Sequence, residues 1–193
     1  MSPQCRGAPM RSPVEEGTAM NSETLTLVAT YRRTIRASLA RIWENVLDWE
    51  HLPWLHRRSF LGIRLLEQSP EAWRACLTLP PADAPREVGI EVRLDRPNLR
   101  YWSRTLEGQG AGTEILTCLE PLDERTTGIT VEFWVPGIKP AQAEAVGTVY
   151  LRLYTRLWDE DERMMRRRQA LLDAGVISDI PKVLRGAKLS KKD

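Results

Sequence analysis

At 193 residues the chain has room for one domain with a sizeable core, flanked by tails. Its 28 basic and 26 acidic side chains leave a formal charge of +2, too weak a field to gather nucleic acid, and no apolar run is long enough to span a membrane. Cys5, Cys76 and Cys118 are odd in number, widely spaced and without a C-x-x-C, which points to a reducing compartment, by default the cytoplasm, rather than to a disulfide framework.

In chain order, residues 1–22 read as a disordered extension. Pro3, Gly7, Pro9, Pro13 and Gly17 stand among polar residues, without the apolar core of a secretory signal. Leu25, Leu27, Ala29 and Tyr31 then alternate with polar residues, the period-2 signal of a half-buried strand reaching Ile35. Ser38 caps a helix with Leu39, Ile42, Trp43, Val46 and Leu47 at helical spacing, and Pro53 is expected to end it near Glu50. Six strand-like segments follow at 60–67, 72–79, 87–94, 99–106, 113–119 and 128–134. They are separated by turn chemistry such as Gln68-Ser69-Pro70, Asp95-Arg96-Pro97 and Gly108-Gln109-Gly110. Hairpin-sized connections favour a single antiparallel meander. In it Cys76 and Cys118 read as small buried hydrophobes, and Trp73, Trp102, Trp134 and Trp158 as core or cavity lining.

A helix over 141–172 closes the pattern, its buried stripe running through Val146, Tyr150, Leu153, Tyr154 and Leu157 to Met164 and Met165. The fold class is therefore α+β: a curved antiparallel sheet gripping a long C-terminal helix over residues 23–174, with a basic flexible tail over 175–193.

The only two histidines, His51 and His56, lie five residues apart in Asp48-Trp49-Glu50-His51-Leu52-Pro53-Trp54-Leu55-His56. Two imidazoles and one carboxylate can hold a mononuclear iron with open positions. Asp161 is the candidate third ligand. Rotation by about 100° per helical residue puts 150, 154, 157 and 161 in one sector, while Asp159, Glu160, Glu162 and Arg163 point sideways or outward. A carboxylate on a buried stripe needs compensation by a metal, by an arginine such as Arg41 or Arg57, or by a backbone donor.

The segment from Glu44 to His56 resembles the catalytic-domain signature of Rieske-type non-haem iron oxygenases, and Leu157-Trp158-Asp159-Glu160-Asp161-Glu162-Arg163 resembles that family's acidic helix. The resemblance covers residues 23–173. It implies a helix-grip domain of the START-like (SRPBCC) superfamily, Fe(II) held by His51, His56 and Asp161, and an Asp48 carboxylate that orients a histidine and relays electrons. It further implies a homo-trimer and a hydrophobic, aromatic substrate. With both histidines assigned to iron, none remains for a [2Fe–2S] cluster, so electrons are expected from a ferredoxin, reductase or separate Rieske protein. The alternative is a non-catalytic START-like protein that carries a lipid, sterol or polyketide-like molecule, its iron ligands vestigial.

Overall fold

A computed structural model describes residues 24–176; the expected N-terminal extension and most of the basic tail lie outside them. The elements are β1 (Leu25–Ile35), α1 (Leu39–Leu47), α2 (Leu52–Leu55), β2 (Gly62–Gln68), β3 (Ala72–Leu79), β4 (Arg86–Asp95), β5 (Arg100–Glu107), β6 (Glu114–Asp123), β7 (Thr126–Pro136) and α3 (Pro140–Asp173). All strands pair antiparallel in one seven-stranded sheet of order β1-β7-β6-β5-β4-β3-β2. The meander and the long helix match the sequence reading. The step the periodicity did not specify is the return of β1 to pair with β7.

β7 shows why these residues form strands. Thr127, Ile129, Val131, Phe133 and Val135 are buried and alternate with more exposed neighbours, so one face of the pleat meets the core. The two cysteines fall on the other parity. Cys76 sits between buried Ala75 and Leu77, and Cys118 between buried Thr117 and Leu119, so both are only half-buried, contrary to the core expectation.

Phe133 is fully buried and lies against α3, stacked on Tyr150 at 5.0 Å and edge-on to Tyr154 at 4.6 Å between ring centroids. Nearer the start of α3 the helix touches β1 backbone. The pairing of β1 with β7 slips at Val28, a bulge that bends the strand, and a Cβ on Gly147 would stand 2.3 Å from the Val28 carbonyl oxygen. Helix propensity alone favours alanine by about 1 kcal/mol. The clash with backbone outweighs it, so Gly147→Ala is expected to destabilise the protein by roughly 1–3 kcal/mol. A lower urea midpoint is the expected reading, and an unchanged or higher one contradicts this contact.

The buried face of α3 is broader than the stripe read from sequence, centring on Gly147, Trp158, Asp161, Glu162 and Met165. Glu162 does not point outward. It is 5% exposed and accepts from Arg33 Nη2 at 2.6 Å and from Arg36 Nε at 3.1 Å, which fixes the rotation of α3 against the end of β1. Burial alone would push its carboxyl up, but the hydrogen bonds from Arg36 and Arg33 hold it below the usual carboxylate range. At the far end Gly175 takes a φ of 66°, its N–H donating to Leu172 and that of Val176 to Leu171. Gly175 and Val176 thus complete the C-terminal cap of α3.

Candidate metal centre

Ser38 caps α1 as expected, its hydroxyl accepting from Arg41 N at 3.3 Å. The helix stops at Leu47, earlier than the sequence suggested, because Asp48 leaves the helical region at ψ 73°. A 3-10 turn over Trp49–His51 leads into α2, where Pro53 sits in the first turn. Proline thus starts a new helix rather than ending the old one, since a first-turn position needs no N–H and suits its fixed φ. This broken path carries both histidines back over α3. Arg156 Nη2 donates to Ser59 Oγ at 2.8 Å and ties the following loop to the same helix.

The three expected ligands converge. His51 Nε2 lies 3.4 Å and His56 Nε2 3.1 Å from Asp161 Oδ1, and one donor atom from each residue falls within 4.8 Å of the others. The imidazoles meet edge to face with centroids 5.4 Å apart. His56 is 1% exposed and Asp161 8%. Asp161 therefore finds its compensation in the histidines and not in Arg41 or Arg57, whose side chains reach Glu44 and the Trp54 carbonyl.

The partners orient both rings. His51 Nδ1 contacts the Asp48 carbonyl, which only accepts, so Nδ1 carries the hydrogen. Its Nε2 is buried 3.4 Å from Asp161 Oδ1, out of line for a hydrogen bond. His56 Nδ1 donates to Glu160 Oε2 at 2.7 Å, which turns its own Nε2 toward Asp161. Two ring nitrogens and an anionic oxygen facing one another need a positive charge between them, whether a proton or a metal cation. Burial drives the His56 imidazole down, but hydrogen bonds to Asp161 and Glu160 carry it above its ordinary value. Burial likewise pushes Asp161 up, and the two histidines hold its carboxyl below the usual range. The orphaned His51 Nε2, the buried carboxylate and the two-nitrogen, one-oxygen donor set fit a divalent transition metal.

Asp48 and Glu160 each hold one of the two rings. Asp48 orients His51 through its backbone carbonyl; its carboxylate is 48% exposed and stands 3.9 Å from His51 Nδ1. Glu160, expected to point aside, is the carboxylate that orients a histidine. The signal for it was its place next to Asp161, since His56 projects both ring nitrogens at the same turn of α3. A carboxylate on the far nitrogen of a metal-binding imidazole raises its basicity and locks the ring. Glu160→Ala is expected to weaken metal binding by roughly 10–100-fold while one metal per chain still binds at saturation. Asp48→Asn should cost less, and calorimetric titration of both variants reads the order.

The cluster lies at the wall of a cavity of about 150 Å³ between the sheet and α3. Trp73, Leu77, Ile90 and Val92 line it from the sheet, Leu157 and Trp158 from the helix. Trp102 and Trp134, read from sequence as core or lining, do not reach it. Tyr101 and Ser103 lie two residues apart on β5 and share this face, a placement the strand alternation already contained. Burial raises the Tyr101 and Tyr154 phenols far above their ordinary value, with Thr117 and Ser103 as their respective hydrogen-bond partners, so both stay neutral.

No protein-family model and no curated protein matches the chain. Solved structures do. The Zhui aromatase/cyclase from Streptomyces sp. R1128 superposes with a TM-score of 0.60 at 15% identity, over 72% of this chain and 93% of that one. A START superfamily protein from Mycobacterium smegmatis matches with a TM-score of 0.59 at 16% identity, over 72% and 97%. Norcoclaurine synthase from Thalictrum flavum, in complex with dopamine and hydroxybenzaldehyde, matches with a TM-score of 0.57 at 16% identity, over 82% and 98%. At these identities the likeness is one of fold: the chain has the START-like helix-grip fold. No helix among the described residues is long and apolar enough to cross a membrane.

Proposed function

We propose that this chain binds a small hydrophobic ligand in the helix-grip cavity and holds a divalent metal ion beside it through His51, His56 and Asp161. The observation that carries the reading is the convergence of those three donors, mostly buried, on the wall of an apolar cavity. Similarity of fold to an aromatase/cyclase and to a synthase solved with two aromatic compounds supports the ligand half. The donor set supports the metal half, because two imidazoles and a carboxylate leave coordination positions open.

The chain's residues divide the work. Glu160 holds His56, and the Asp48 carbonyl holds His51, so that both Nε2 atoms stay aimed at Asp161. Trp73, Trp158 and the aliphatic wall strip water from the ligand and favour an aromatic or aliphatic body. A ferrous ion bound there would supply dioxygen activation against that ligand. In this oxygenase-like reading, the electrons come from a separate ferredoxin, reductase or Rieske protein, and Asp48 stands at the exposed side of the site.

A second reading is favoured by one contact set. His56 is hydrogen-bonded on both nitrogens to carboxylates, the arrangement of an imidazolium serving as acid or electrostatic anchor in a metal-free ligand carrier. Anaerobic titration with Fe(II), followed by desalting and metal quantification, separates the two. One iron per chain supports the metal site, and no retained iron, zinc, manganese or cobalt leaves the metal-free reading.

A further inference from the structure

Trp49 and Trp158 line the cavity with indole N–H groups that find no acceptor among the described residues. Trp73, by contrast, donates from Nε1 to the Val46 carbonyl at 2.9 Å. Neither free indole nitrogen is sealed in the way Asn45 Oδ1 is, so both stay open to a bound molecule. Trp158 is only 4% exposed and stands in the turn of α3 that precedes Asp161. Trp49 also borders the outer groove beside Trp54 and Leu61, which leaves Trp158 as the inner donor. A donor left unpaired in a mostly apolar wall is costly, and a ligand that accepts from it recovers the lost hydrogen bond.

Charge restricts which acceptor that is. Among the described residues the lining includes the carboxylates of Asp48 and Asp161 but no lysine or arginine. Any positive charge on His56 is already shared between Glu160 and Asp161. An anionic ligand would therefore enter the metal-free cavity without a counter-ion. A carbonyl accepts without bringing a donor that must itself be paired. From these observations we infer that the cavity recognises a hydrophobic molecule through a neutral carbonyl oxygen, as in a ketone or quinone, and that Trp158 sets this preference by donating its Nε1–H. The apolar body of the ligand packs against Trp73, Ile90 and Val92. The inference deepens the ligand-binding half of the proposed function, rests on it, and is independent of the metal.

Nitrogen–proton correlation NMR of the indole groups, with the full chain in EDTA, tests it. The probes are acetophenone, its apolar isostere α-methylstyrene, and benzoate. The Trp158 indole proton, assigned with Trp158→Phe or sequentially in the wild-type protein, is expected to move downfield with acetophenone and not with α-methylstyrene. Acetophenone should also bind more tightly than benzoate. In Trp158→Phe the ratio of α-methylstyrene to acetophenone dissociation constants should fall about fivefold, the scale of one neutral hydrogen bond. Equal movement of the Trp158 signal with ketone and isostere overturns the inference, as does tighter binding of benzoate or a ratio that Trp158→Phe leaves unchanged. In each of these cases the cavity still binds a ligand and the broader reading stands. Binding of none of the three probes overturns this inference and the ligand-binding reading together.

Discussion

Asp161→Ala is expected to abolish metal binding, with an affinity loss greater than the 10–100-fold cost of removing a supporting carboxylate. Asp161 is the anionic member of the set, and its Oδ1 faces both ring nitrogens at 3.4 and 3.1 Å. Without it the two imidazoles remain near one another but lack the charge that makes the site worth desolvating a cation for. In the metal-free protein the same change removes the Nε2 partner of buried His56 and should cost roughly 1–3 kcal/mol of stability. Metal quantification after desalting and a urea melt on the same sample read both effects. A variant that still retains one metal per chain sinks the assignment of Asp161.

Phe133→Ala is the second large effect, expected at roughly 3–5 kcal/mol. The side chain is fully buried, stacks on Tyr150 and meets Tyr154 edge-on, so it joins the sheet to the long helix. Truncation leaves a void bounded by two tyrosines whose backbone is held elsewhere by the Gly147 contact and by Arg33 and Arg36 on Glu162, so collapse into it is limited. The folded fraction should still bind metal, because His51, His56 and Asp161 do not touch Phe133. Loss of metal in the folded fraction would show that the site depends on this packing. A melt shifted by less than 1 kcal/mol would show that the sheet and helix are joined by other contacts.

Much of this architecture was legible because a strand's parity and a helix's sector are local properties. The alternation along 128–134 is the alternation observed in β7, and the rotation that placed Asp161 inward is the rotation of α3. What a neighbouring element offers is not local. Glu160 and Glu162 flank Asp161 at about 100° on either side, and a helical wheel assigns them to the margins. His56 on one flank, and Arg33 with Arg36 on the other, draw both onto partners. Pro53 misled for a related reason. A proline both ends and begins helices, and Asp48 had already ended α1.

The central claim is that His51, His56 and Asp161 form one metal site. X-ray diffraction from crystals soaked anaerobically with Fe(II), recorded above and below the iron absorption edge, tests it most directly. The account predicts one anomalous peak at roughly 2.0–2.3 Å from His51 Nε2, His56 Nε2 and an Asp161 carboxylate oxygen. No peak at saturating iron, or a peak bound by other residues, would contradict it.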